Sequence, residues 1–431
     1  MIAKELPVNT APPLVMHIDL NSCFATIEAQ ANRLLRNRAV GVAAYDTPRG
    51  FVLAANYAAK TKGVKLGVNV SQARLLCPGI VIMTPDPAKY REAHQRFKDV
   101  LLDYTSDVHA KSIDEFVLNF AGTPAIRTGK TMLQIGEEIK QRIYERLGEA
   151  VTVNIGIAPN RFLAKYAAGF DKPNGMTQID QTNLKRKYED QDLVDLPGIN
   201  VRYRARLFAA GITNPLEFLA ADRILLQKRV FKSVVGYYWY LRLRGWEIDN
   251  FEPVRRSIGH QYALSNKTSD PVELKRLLLK LCEKTGRRMR KNGLYAGGIH
   301  LYLGFVGRGP FVPSSFESMH KIPSWHKGTK VDHRLYSTED IYKAACRLLD
   351  QAEIRGKVKL MSVTVSNIRP WDPEQLSIFE QNRYLQTGRR ISDAQDAANN
   401  RYGEFVVTPA SMLDMQGTIL DRIAFGQVRD L

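Results

Sequence analysis

Met16-His-Ile-Asp19-Leu-Asn-Ser-Cys-Phe24-Ala-Thr-Ile-Glu28 and Lys111-Ser-Ile-Asp114-Glu115-Phe116 are the two stretches that decide the fold of this 431-residue chain. In the first, the apolar run from Leu14 to Ile18 reads as a buried strand that Asp19 closes, and Phe24, Ile27 and Leu34 follow at helical spacing. An isolated acid at such a junction most often caps the helix it opens. In the second, two adjacent acids stand among apolar neighbours, and His109 to Phe120 reads as two short strands around them. Successive strand residues face opposite sides of a sheet, so both acids serve one site only where the backbone turns.

Three carboxylates brought together repel one another unless cations neutralise them. Mg²⁺ suits an open cluster of this kind, because it binds through a few carboxylate oxygens and shares its remaining positions with water and substrate phosphates. Two such ions about 3.5–4 Å apart activate an attacking hydroxyl and stabilise the leaving group of an in-line phosphoryl displacement.

Working outward, the run Ala39 to Ala44, the turn Thr47-Pro48-Arg49-Gly50 and short helical patterns through Leu76 form a small insertion over residues 30–86. Helical spacing from Tyr90 to Tyr104 and from Lys130 to Leu147, the strand Val151 to Ile157 and a helix from Asn160 to Ala168 complete an alternating α/β unit. An all-helical stretch follows from Leu193. Segments Arg255 to Ser265, Pro271 to Lys291, Gly298 to Phe305, Thr329 to Leu335, Thr338 to Gln351 and Lys359 to Asn367 then read as β-α-β-β-α-β.

The net charge is +18, a field that favours polyanions. From Val254 to Pro370 there are 22 lysines and arginines against 9 acids, so that stretch is the leading candidate for phosphate contact. Leu274, Leu278, Leu281 and Met289 mark the apolar face of its first helix, and Lys275, Lys280, Lys284, Arg287, Arg288 and Arg290 populate the rest. The four cysteines have no C-x-x-C spacing, the histidines are dispersed, and neither a secretory segment nor a run of 18 apolar residues occurs. A reducing cytoplasm, no zinc site and no membrane partner are expected. Thr128-Gly129-Lys130-Thr131 ends like a phosphate-binding loop, but Pro124 stands where that loop needs its first glycine.

The pair of acidic motifs resembles the palm signature of Y-family translesion DNA polymerases, including the bacterial DNA polymerase IV branch, over roughly residues 14–370. The resemblance implies a multidomain α/β (α+β) right hand: palm 1–29 and 87–180, small fingers 30–86, helical thumb 181–250, a β-α-β-β-α-β little finger 254–370 and a C-terminal tail 371–431. It implies that Asp19 and Asp114 bridge two Mg²⁺ ions, with Mn²⁺ as a substitute, that Glu115 serves the ion nearer the primer 3′-OH, and that Leu20 gives its carbonyl. Phe24 takes the place of the steric gate that excludes a ribose 2′-OH, with Cys23 beside it where the family commonly has an aromatic. Phe116 replaces a residue that is often small.

Ala55-Asn-Tyr57-Ala-Ala-Lys60 resembles the finger motif that holds the triphosphate, with Lys60 in place of the usual arginine, which supplies a point charge rather than a bidentate fork. Asp171-Lys172-Pro-Asn-Gly175 resembles the palm segment whose lysine reaches the phosphates. Leu196-Pro-Gly198-Ile-Asn200 resembles the thumb's helix-hairpin-helix, whose helix start suits DNA phosphates; Asn200 replaces a glycine there, in a turn that asparagine's tolerance of left-handed backbone would preserve. Arg287 and Arg288 represent the little finger's grip on DNA. Gln375-Leu376-Ser377-Ile378-Phe379 resembles the peptide by which bacterial polymerases bind the sliding clamp.

The expected activity is low-fidelity, template-directed addition of dNTP to a primer 3′-OH during damage bypass, by a monomer without a proofreading exonuclease domain. Two other classes compete. A catalytically dead scaffold has no electrostatic reason to keep three acids, and a nucleotidyl cyclase-like enzyme leaves the hairpin-helix and the basic domain without a role.

Overall fold

The computed structural model describes residues 6–127, 129–251, 254–307, 323–371, 382–415 and 417–419. The chain divides into two compact units near residue 252, and the second extends past the β-α-β-β-α-β segment to take in the C-terminal residues 382–419.

The first unit is organised by β1 (Val15–Leu20), whose alternation sends Met16, Ile18 and Leu20 to one side and Val15, His17 and Asp19 to the other. Helix α1 (Cys23–Ala31) follows directly. The insertion holds β2 (Val40–Ala43), β3 (Val52–Ala55), α2 (Tyr57–Lys60), α3 (Val70–Leu76) and β4 (Val81–Met83), with strand order β3-β2-β4 around a small core of Val52, Ala59, Val64 and Ala73. The strands β3 and β4 are absent from the sequence reading; four residues containing two alanines, and three residues, carry too little β signal.

The chain then returns to the sheet of β1 with α4 (Pro87–Leu102), β5 (Val108–Ala110), β6 (Glu115–Asn119), α5 (Pro124–Arg127), α6 (Met132–Leu147), β7 (Val153–Ala158), α7 (Arg161–Ala167) and β8 (Met176–Gln178). The sheet order is β5-β6-β1-β7-β8, with β1 antiparallel to both neighbours. One face packs on α1, α4 and α6 through Phe97, Leu101, Ile135 and Ile139. The other packs on α7 and shares its core with an all-helical stretch of α8 (Leu184–Tyr188), α9 (Val201–Phe208), α10 (Pro215–Ala220), α11 (Arg223–Leu225) and α12 (Val235–Leu243). The phosphate-loop look-alike has a local explanation: Thr131 caps α6 in a reciprocal capping box with Gln134.

Gly156 sets the distance between β7 and α7. A Cβ there would lie 2.0 Å from the Ala164 carbonyl oxygen and 2.2 Å from the Ala168 nitrogen, so Gly156→Ala forces helix and strand apart. We expect a loss of about 3 kcal/mol in urea unfolding; a change below about 0.5 kcal/mol would show that this contact is slack.

The second unit contains β9 (Ser257–Thr268), α13 (Pro271–Lys291), β10 (Leu294–Phe305), β11 (Ser324–Leu335), α14 (Thr338–Leu349) and β12 (Val358–Pro370), in sheet order β11-β10-β12-β9. Both helices cover one sheet face, through Leu274, Leu278, Leu281 and Ile341. Strand β11 begins five residues before the expected Thr329, because an edge strand exposed on much of both faces lacks apolar alternation. Beyond it, α15 (Asn382–Tyr402) and residues up to 419 pack back on this unit, where Met412, Met415 and Ile419 join its core.

Candidate active site

The two acidic motifs meet because β1 and β6 are neighbours. Asp19 stands directly opposite Glu115, and the Leu20 N–H donates to the Asp114 carbonyl at 2.9 Å. Residues 111–114 form the bend between β5 and β6, so Asp114 lies in the turn while Glu115 opens the strand. That departure from regular strand geometry frees two adjacent acids from facing opposite sides.

Each acid has its own donor. Lys172 bonds Asp19, Ser112 Oγ bonds Asp114, and Lys165 Nζ reaches both Glu115 oxygens at 3.0 and 2.7 Å. Among the described residues no three His, Cys, Asp or Glu side chains already stand in ligating geometry; the acids lie at the junction of two neighbouring strands, each bonded to an ammonium or hydroxyl group. Burial raises Asp19, against the pull of Lys172. Burial also lifts Asp114 to about 6, assisted by the charges of Asp19 and Glu115. For Glu115 burial works upward, but His17, Lys165 and Lys172 outweigh it and the carboxyl is lowered. This donor set, hard oxygens short of compensating charge, is of the kind a divalent cation satisfies.

The triphosphate candidates surround Asp19. Lys60 Nζ donates to Ser22 Oγ at 2.8 Å and lies 4.6 Å from the Tyr57 ring centre. Burial and the neighbouring charge of Lys172 depress its ammonium, so two cations converge where polyanion charge is expected. Burial and the charge of Asp19 raise Tyr57. Phe24 is 2% exposed and stacks on Tyr90 at 4.2 Å, and Cys23 is buried beside it with its thiol pushed up by burial. Tyr90 is fixed in turn by a 2.9 Å hydrogen bond to Glu28, whose other oxygen takes Lys89 at 3.0 Å.

Comparison with known proteins places this geometry. The impB/mucB/samB family model matches residues 18–169, and the model of that family's C-terminal domain matches 255–378. A DNA polymerase IV of Moorella thermoacetica is 31% identical over 416 residues, covering 94% of this chain and 97% of the relative. The chain belongs to the impB/mucB/samB family, the Y family of DNA polymerases. A DNA polymerase IV of Staphylococcus aureus is 28% identical over 85% of the chain and 98% of its own length. A solved Y-family DNA polymerase chimera superposes with TM-score 0.69 at 25% identity, over 83% of this chain and 99% of the other. The chain is therefore a DNA-directed DNA polymerase of the translesion class, of a family that depends on divalent metal, and among the described residues no helix is long and apolar enough to cross a membrane.

Four residues of this Y-family site escaped the sequence reading. Lys165 lies one turn after the start of α7, where nothing in its spacing marks it; only the packing of α7 on the sheet brings it to Glu115. Ser112 stands two residues before Asp114, and the short distance in sequence was the available signal. Tyr90 is recognisable only as the partner of Phe24. His17 is 2% exposed, with Nε2 4.0 Å from Glu115 and Nδ1 without a partner; burial lowers it to about 3 against the upward pull of Glu115.

In the polymerase's thumb, Gly198 rather than Asn200 takes the left-handed backbone, with φ 95° against −99°. Asn200 caps α9, its side chain accepting from the N–H groups of Arg202 and Tyr203 at 3.0 Å. Those two amides, expected to face phosphate, are thus already satisfied. Arg287 and Arg288 are also engaged within their own unit: Arg287 donates to Asn400 at 2.8 Å, and Arg288 to the Gly259 carbonyl at 3.3 Å. Gln375, Leu376, Ile378 and Phe379 lie outside the described residues.

Proposed function

We propose that Asp19, Asp114 and Glu115 hold two Mg²⁺ ions, or Mn²⁺ in their place, with the Leu20 carbonyl as a further ligand, for nucleotidyl transfer from dNTP to a primer 3′-OH. When bound, the ions lower the pKa of the attacking hydroxyl and neutralise charge on the leaving pyrophosphate. The observation that carries this reading is the pairing of Asp19 with Glu115 across β1 and β6, with Asp114 tied to the same junction through Leu20. Lys172 and Lys60 bind and orient the triphosphate, Tyr57 supplies a hydroxyl beside it, and Phe24 with Cys23 floors the sugar. Primer extension on a defined template, in EDTA and with Mg²⁺ restored, tests the metal assignment.

Lys60→Ala is expected to raise KM for dNTP about tenfold, the loss of one charge-assisted hydrogen bond, with kcat changed less. Steady-state kinetics with a single nucleotide checks this, and an unchanged KM would remove Lys60 from the phosphate site. Lys60→Arg, which restores a bidentate fork, is expected to bind dNTP at least as tightly as the wild type.

For the second unit we place primer-template DNA on the open sheet face rather than on α13. Two cross-strand rows there, Gly259, Thr364, His300 and Gly328, and Gln261, Ser362, Tyr302 and His326, contain no acid. Small and hydroxyl side chains let a sugar-phosphate backbone approach closely without reading sequence. We also assign Gln375–Phe379 to sliding-clamp binding, and a cytoplasmic, monomeric state; loss of clamp-stimulated synthesis in Phe379→Ala tests the first.

A further inference from the structure

We propose that the C-terminal segment 387–419 is an electrostatic cover: it occupies the basic stripe of α13 as a phosphate backbone would, and so confines DNA to the other side of the unit. This rests on placing DNA at the open sheet face. Arg276, Lys280, Lys284 and Arg287 recur at helical spacing along α13, a stripe that would attract any nucleic acid if it faced solvent. Instead Lys280 and Lys284 are 2% and 6% exposed.

The acceptors that replace phosphate are specific. Lys280 donates to the carbonyls of Met415 and Thr418, Lys284 to that of Ile419 at 3.0 Å, and Arg276 to that of Leu413 at 2.8 Å. Arg290 makes a bidentate pair with Asp396 at 2.6 and 3.0 Å, the geometry in which guanidinium meets phosphate. Glu404 lies 3.6 Å from Lys284 and 3.8 Å from Arg287. Met412, Met415 and Ile419 anchor the segment in the core alongside, and Phe405 lies beneath the Lys280 ammonium at 4.8 Å. Carbonyls and carboxylates thus satisfy cations whose burial without acceptors would be prohibitive, and the segment contributes a second, independent reason for its own position.

The cover has a consequence for substrate binding. A polymerase must place a primer terminus in one site, and a second cationic face would hold duplex in orientations where no terminus reaches it. Burial of Lys280 and Lys284 leaves the positive field of the unit intact at long range while removing those two ammonium groups as contact sites.

The test uses the full-length protein and a duplex closed by hairpins at both ends, followed by fluorescence anisotropy across a salt series. Asp396→Asn with Glu404→Gln removes, at constant volume, the two carboxylates that face the cations of α13; Glu339→Gln with Glu353→Gln removes the same charge elsewhere on the unit as a control. We expect the first pair to tighten binding about five- to tenfold more than the control. Met412→Asp with Met415→Asp, which detaches the segment, should steepen the slope of log K against log salt by about 2 to 3, at about 0.9 per phosphate neutralised, and Lys280→Gln with Lys284→Gln in that background should return it. Equal affinity for the isosteric pair and its control, whether or not the detached variant folds, overturns the cover. Tyr302→Ala that leaves wild-type affinity unchanged would instead overturn the sheet-face placement, and the two failures are separately readable.

Discussion

Asp114→Asn is expected to lower the rate of single-nucleotide extension by at least about 10³-fold, the scale of losing one preorganised charge at a reacting phosphoryl group. The substitution keeps the shape of the side chain and its place in the bend, and removes the charge that would hold a cation. Stability should move the other way. Asp114 is lifted to about 6, first by burial and then by Asp19 and Glu115, so above that pH its ionised form costs folding free energy, and the cost disappears as pH falls from about 6 towards 4. In EDTA at neutral pH, Asp114→Asn should therefore be more stable than the wild type by about 1–2 kcal/mol. A variant that extends primers within tenfold of the wild-type rate would reject the three-acid assignment. A variant with lower stability would mean that the hydrogen bond from Ser112 matters more than the charge.

Phe24→Ala should reduce discrimination against ribonucleotides by about 10²-fold or more, since a steric wall against one hydroxyl is lost at the point of contact. The structure adds a condition. One ring face is taken by Tyr90, so the position of the ring depends on the chain Tyr90, Glu28 and Lys89 beneath it. Truncating a buried ring also costs about 3–5 kcal/mol of stability, so Phe24→Leu, with less lost volume, separates the two effects. Tyr90→Leu is expected to relax discrimination by a smaller factor, through a ring left free to tilt. Measured with paired dNTP and rNTP kinetics, an unchanged ratio in both Phe24 variants would leave the ring a core aromatic and nothing more.

The two substitutions probe parts of the site that differed in legibility. Asp19, Asp114 and Glu115 could be named from the sequence because two acidic motifs occur together and resemble a family signature, whereas an isolated acid at a strand's end most often caps a helix. Phe24 was named by its place in a motif, since periodicity alone makes it one more apolar residue on a helix. Lys165 could not be found at all: it is one lysine among many, and its meaning comes from the helix that carries it lying across β7 and β1. The β-α-β-β-α-β segment was readable almost to its ends, because long strands and helices repeat their signal many times. Strands β3 and β4 of the fingers were not, because three or four residues repeat it once or twice.

Asn200 shows the limit of such a reading, because residue type states which backbone a residue tolerates and not which groups its side chain has already bound. In the folded chain Asn400 accepts from Arg287, with Glu404 3.8 Å away, the Gly259 carbonyl accepts from Arg288, and the side chain of Asn200 takes the amides of α9.

What the sequence determined by itself was the family and the order of the longer strands and helices, since these follow from motifs of residues adjacent in the chain and from local alternation repeated many times. What the tertiary structure decided was which charges remain available. Electrostatic partners are chosen by distance in space, and Lys172 on Asp19, Lys165 on Glu115 and the segment 387–419 on α13 are separated from their partners by tens of residues or more, beyond the reach of any local pattern.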